Sequence, residues 1–173
     1  MNAEDLVGVL AVYRAARLNL LHALDVPNSN RDPLAEFSER FVAALLGGEL
    51  PPNRVQRGWD VALGDGSKVQ VRYLANPAGP RWVNEHVVYR IPGVDYYALV
   101  IIEDFAVAGV VVFPCQQLGP VASALGKRHA DMENTVQFTC ANWRSICADA
   151  DRYRSLGVQV YVPEDFGTVV PTA

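Results

Sequence analysis

The sequence predicts a mixed α/β fold, one β-sheet flanked by helices. Three observations carry this reading. Two proline-free, Leu- and Ala-rich stretches, 5–24 and 34–46, have helical character. Two β-branched runs, YYALVIIED and VAGVVVFP, read as buried strands joined by a short turn. Helical and strand-like segments then alternate along the rest of the chain. At 173 residues, half of them hydrophobic and 20% charged, the chain suits one compact globular domain.

The first helix covers 5–24 and is apolar nearly all round, so it is expected to pack on the core on one side and on a second subunit on the other. Arg14, Arg17 and His22 make it too polar to span a bilayer, and His22 is expected in the core or an interface. A turn-rich linker, DVPNSNRDP, follows. Residues 1–31 are thus an N-terminal helix and linker, and 32–173 form the main α/β core. Asp32 and Pro33 open the second helix as N-cap and first turn, and Gly47-Gly48 closes it. At about 100° per residue, Leu34, Phe37, Phe41 and Leu45 share a stripe. Glu39 lies at its flank, and Glu36 is expected in solvent.

Strands are expected at 55–63 and 68–74, then a long Pro- and Gly-rich loop at 75–94. After the two buried strands come a turn and helix within 116–129, a strand at 135–140, a helix at 142–156 and an edge strand at 158–163. Cys115, Cys140 and Cys147 lack CxxC spacing and read as reduced, buried thiols.

The stretch GWDVALGDGSKVQVRY, 58–73, carries the chemistry. Gln70 and Arg72 alternate with valines, so they share one face of a strand. A two-residue turn at Asp65-Gly66 would place Asp60 opposite Val71, on the other face. A three-residue turn with a left-handed glycine would place it opposite Arg72. The second choice keeps Val61, Leu63, Val69 and Val71 together on an apolar face, so the hydrophobic pattern favours it. As a bare hairpin this is a solvated face with an Asp–Arg cross-strand pair.

Together with the preceding SERFVAALLGGEL, however, the hairpin resembles the core of the PD-(D/E)XK, or restriction-endonuclease-like, nuclease superfamily. The resemblance covers roughly 32–74: a helix bearing a Glu, an aromatic-Asp strand, and a strand reading Gln, any residue, cation. It implies Glu39, Asp60, Gln70 and Arg72 as the catalytic group on one side of the sheet. It also implies Mg²⁺ or Mn²⁺ held by Asp60, Gln70, Glu39 and the Val71 carbonyl. The restriction-endonuclease-like core would then carry an added N-terminal helix. Arg72 stands where the family has lysine; it keeps the charge but cannot lose a proton. Lys68 shares its face.

Three further groups are candidate DNA contacts: Lys68; Trp82, Asn84 and His86, with Glu85, in the long loop; and Lys127, Arg128 and His129. A net charge of −4 gives no global basic field. The expected protein is a cytoplasmic, dimeric, metal-dependent DNA endonuclease with a role in restriction or phage defence. The alternative is an inactive nuclease-fold module for DNA or protein binding. Glu4 and Asp5, where a signal peptide would be basic, fit the cytoplasmic reading.

Overall fold

A computed structural model describes residues 2–52 and 58–166. Helix α1 is Ala3–Ala23 and α2 is Pro33–Leu46. Each cap follows from the sequence. Asn2 and Asp5 form a reciprocal capping box on α1. The Asp32 carboxylate accepts the Leu34 N–H at 2.9 Å, and Gly47 ends α2 in the left-handed conformation with φ 64°.

The main sheet contains β1 (Val61–Ala62), β2 (Lys68–Asn76), β4 (Tyr96–Glu103), β5 (Ala106–Pro114) and β7 (Gln159–Tyr161), in the order β1-β2-β4-β5-β7. The β2–β4 pair is parallel and the others antiparallel. A second, antiparallel sheet joins β3 (His86–Tyr89) to β6 (Thr135–Phe138). Between and after these lie α3 (Leu118–Ala124), α4 (Cys140–Ala148), α5 (Ala150–Arg154) and α6 (Pro163–Phe166). The β4–β5 turn is two residues, Asp104 and Phe105, with φ of 47° and 63°. Positive φ at both positions is the turn that matches strand twist.

The sheet buries both faces, which is why β4 reads as an unbroken apolar run. One face, with Val69, Val71, Ala98, Val100 and Val112, packs on Val42 and Ala43 of α2. The other, with Leu74, Tyr97, Leu99 and Phe113, packs on α3, α4 and the β3–β6 sheet. No described helix is long and apolar enough to cross a membrane.

Several expectations need correction. Of the strand expected at 55–63, only Val61–Ala62 pairs with β2; residues 53–57 lie outside the described residues. The long loop contains β3, because β6 supplies it with a partner. The helix within 116–129 stops at Ala124, and Gly126 follows at φ 73°. The 142–156 helix is split at Asp149, which leaves helical geometry and caps α5. Glu36 is only 1% exposed, not solvated. The linker folds back over it: the Ser29 hydroxyl donates to its carboxylate at 2.8 Å, and Arg40 does so at 2.9 Å. His22 is exposed rather than in the core, as is most of α1, in which Leu21 is buried. Of the cysteines, Cys115 is buried, Cys140 half-buried and Cys147 exposed, and all are unpaired thiols.

Candidate functional site

The site lies along the β2 edge, which among the described residues pairs with β1 only at its start. β1 pairs with β2 only through Val61–Val69 and Ala62–Lys68. The connecting loop is three residues, Gly64 to Gly66, closed by the Leu63 N–H donating to the Ser67 carbonyl at 2.9 Å. Gly66 takes φ 89°, as the third position of such a loop requires. This is the odd-length loop the hydrophobic pattern favours, with Asp60 shifted by two residues to an earlier partner on β2. Asp60 therefore faces Gln70 instead of Arg72, and the parity that unites Asp60, Gln70 and Arg72 is kept.

Beyond Asp60, among the described residues, side chains take over from the main-chain ladder. The Asp60 N–H donates to the Val69 carbonyl at 2.8 Å. The next strand donor, the Val71 N–H, goes to Asp60 Oδ2 at 2.9 Å. The Gln70 amide also donates to this oxygen. Arg72 Nη1 lies 3.3 Å from it and donates to the Val71 carbonyl at 2.7 Å. Asp60 Oδ2 and the Val71 carbonyl oxygen thus converge on a single cationic nitrogen.

Glu39 does not join them on the same face. It comes from α2, which covers the Val69–Val71 face, whereas alternation sends Gln70 and Arg72 toward Tyr97. Glu39 reaches the β2 edge from the other side. There it lines a cavity of about 260 Å³ with Arg31, Ala35, Ser38, Val71, Arg72 and Tyr73. Arg31 grips Glu39 with a two-pronged pair, Nη1 to Oε2 at 3.1 Å and Nη2 to Oε1.

Burial raises the Asp60 carboxyl above the ordinary range, opposed by the Val71 N–H. The Glu39 charge adds to the rise, and Arg72 and Arg31 oppose it. Tyr73 donates to the Asp32 carboxylate, and burial with this bond pushes its phenol up to about 12.

No protein-family model matches this chain, and a search of curated proteins returns no match.

The donor types at the edge suit a hard divalent ion: one carboxylate, one main-chain carbonyl and one side-chain amide. Arg72 Nη1 already sits between the first two, so an ion there requires that nitrogen to leave. Gln70 would also have to turn its amide oxygen toward the ion. Among the described residues there is no group of three or more His, Cys, Asp or Glu side chains placed to hold a metal. Such an ion would rest on Asp60 and neutral oxygens, with Glu39 engaged by Arg31.

The other candidates are dispersed. Lys68 places its ammonium 5.9 Å from the Trp59 ring centroid, beside the site. Trp82 packs on the core, and its indole N–H donates to Glu103 at 2.7 Å. The Asn84 amide donates to the Ala75 carbonyl at 2.9 Å, and Glu85 accepts from Gln137 at 2.5 Å. His86 is a β3 residue whose Nε2 lies 2.7 Å from the Tyr97 hydroxyl. Lys127, Arg128 and His129 follow α3 and make no described side-chain bond to the Asp60 group.

Sequence reasoning missed Arg31, Ser38, Tyr73 and Tyr97. Ser38 adjoins Glu39, and Tyr73 adjoins Arg72, so both were adjacent to the motif. Arg31 sits in a linker without periodicity, and no local signal places it.

Proposed function

We propose that this chain is a divalent-metal-dependent DNA endonuclease of restriction-endonuclease-like type, working in the cytoplasm as a homodimer in restriction or phage defence. One observation carries the reading: Asp60 Oδ2 and the Val71 carbonyl converge on one cation position at the β1 side of β2. A bound Mg²⁺ or Mn²⁺ supplies polarisation of phosphate oxygens and a more acidic attacking water. Asp60, the Val71 carbonyl and Gln70 hold it. Glu39 completes the acidic side of the edge. Arg72 turns its guanidinium to a phosphate oxygen, where its role is charge and orientation, because it does not give up a proton.

A second reading is favoured by the position of Arg72, which fills the cation point from within the chain. The protein is then a nuclease-fold module that binds DNA without cutting it.

The test incubates wild-type protein with duplex and single-stranded DNA in Mn²⁺ and follows cleavage and salt-sensitive binding. Cleavage lost in Asp60→Ala supports the endonuclease. Cleavage seen only in Arg72→Lys supports the binding module. Neither cleavage nor salt-sensitive binding on any substrate overturns both.

A further inference from the structure

We propose that the cavity between α2 and β2 is a phosphate-binding site that needs no metal ion, with Ser38, Arg31 and Arg72 as its donors. It shares its edge with the proposed nuclease site but stands on separate observations. Ser38 is 1% exposed and lines the cavity, yet its hydroxyl has no hydrogen-bond partner among the described residues. A buried hydroxyl without a partner is costly and uncommon. The two arginines lining the same cavity supply the sign of the missing ligand.

Arg72 has donors to spare. Only its Nη1 is engaged among the described residues, with Asp60 and the Val71 carbonyl. Nε and Nη2 remain, and an arginine fork matches two oxygens of a phosphate. Arg31 is spent more fully, since both terminal nitrogens contact Glu39 and Nη1 lies 3.7 Å from Glu36. Its charge still faces the cavity, and its side chain is 44% exposed.

One carboxylate, Glu39, lines the cavity, and two lie beside its lining residues, Asp60 against Arg72 and Asp32 against Tyr73; each has donors already in place. Glu39 is held by Arg31 and Asp60 by the Val71 N–H, Gln70 and Arg72. Asp32 is held by the Tyr73 hydroxyl and the Leu34 N–H. Among the described residues, what remains without a partner is therefore donor capacity: one hydroxyl and one side of a guanidinium. At about 260 Å³ the cavity lies below the range of drug-sized pockets and suits a single phosphate group with its ester linkage.

The experiment is calorimetric titration in EDTA with three probes: inorganic phosphate, a 5′-phosphorylated dinucleotide, and the same dinucleotide without the 5′ group. The expected result is saturable binding of the phosphorylated probes, weakened about tenfold in both Ser38→Ala and Arg72→Ala. Preference for the phosphorylated dinucleotide identifies a terminal phosphate as the natural ligand. Equal binding of the two dinucleotides identifies the backbone diester. Ser38→Ala removes no described hydrogen bond, so its melting temperature should match or exceed that of the wild type. The proposal is overturned by absence of saturable binding at millimolar probe, or by phosphate binding that Ser38→Ala leaves unchanged. Binding in EDTA without cleavage in Mn²⁺ would retain this site while removing the nuclease reading.

Discussion

At the scale of single residues, buried charge decides most of what can be measured. Glu36 lies under the linker with Ser29, Arg40 and Arg31 around it. Glu36→Ala removes the acceptor from these donors while leaving the arginines in place. The expected cost is roughly 1.5–3 kcal/mol in urea unfolding, against little change for Glu164→Ala on exposed α6. His86 gives a pH-dependent expectation. Burial, and then the nearby Arg72 charge, lower its pKa below the ordinary histidine value. The unfolded chain therefore takes up this proton at a higher pH than the native state does. The contribution is full above the unfolded value near 6.5 and is lost as pH falls through it toward the lower native value. His86→Phe should flatten that part of the stability profile; a slope equal to wild type between pH 7 and 5 would contradict it.

At the scale of elements, α1 is the outlier. Leu10 is 62% exposed and Val12 72%, on a helix whose first four turns touch little else. Leu6, Leu10 and Tyr13 repeat at helical spacing and form one stripe. An apolar stripe of this kind on an isolated surface invites a partner, and the homodimer proposed above would use it. Sedimentation equilibrium should show a dimer for the wild type and a monomer for Leu10→Glu with Tyr13→Glu. A monomeric wild type removes the pairing. A second element-level expectation concerns β5, where Ile101 pairs with Gly109 but Ile102 with Val107, leaving Ala108 as a bulge. A Cβ on Gly109 would run into the Trp143 ring and sit 2.7 Å from the Tyr161 carbonyl oxygen. Gly109→Ala should cost about 1–3 kcal/mol by thermal unfolding.

These elements also show what was legible in the sequence. Helix α2 was readable to the residue, because Asp32, Pro33 and Gly47 are local signals acting on their own backbone. The strands β4 and β5 were readable because double burial writes a continuous apolar run. The short β3 was not, because a four-residue strand exists only through β6, which begins 49 positions after it does. The same division runs through the site. Asp60, Gln70 and Arg72 lie within one hairpin, so parity joined Gln70 to Arg72, and the hydrophobic pattern, through the loop length it favours, added Asp60. Glu39 depended on which face α2 covers, and Arg31 on a linker folding back, and neither is encoded within a turn of the residue itself. Glu36 was misplaced for that reason: a helical wheel shows which residues share a side, but not what else comes to cover it.

At the scale of the whole molecule, the two longest strand pairings of the sheet differ: one is local and one distant. The local pair is β4 with β5, joined by Asp104 and Phe105 alone. Its closure costs little chain entropy. The distant pair is β2 with β4, parallel across an intervening segment that makes a strand for the other sheet. Contacts of that kind are slow to form. The two-residue turn therefore sets an order of events in time. The central hairpin is the place for folding to begin, and the edge bearing Asp60 and Arg72 is added afterwards. In stopped-flow refolding, Val100→Ala in the hairpin should slow folding, whereas Val71→Ala at the edge should chiefly speed unfolding. The strand that carries the chemistry would then arrive after the central hairpin and leave before it. The site could come apart in brief excursions while the centre of the sheet stays closed.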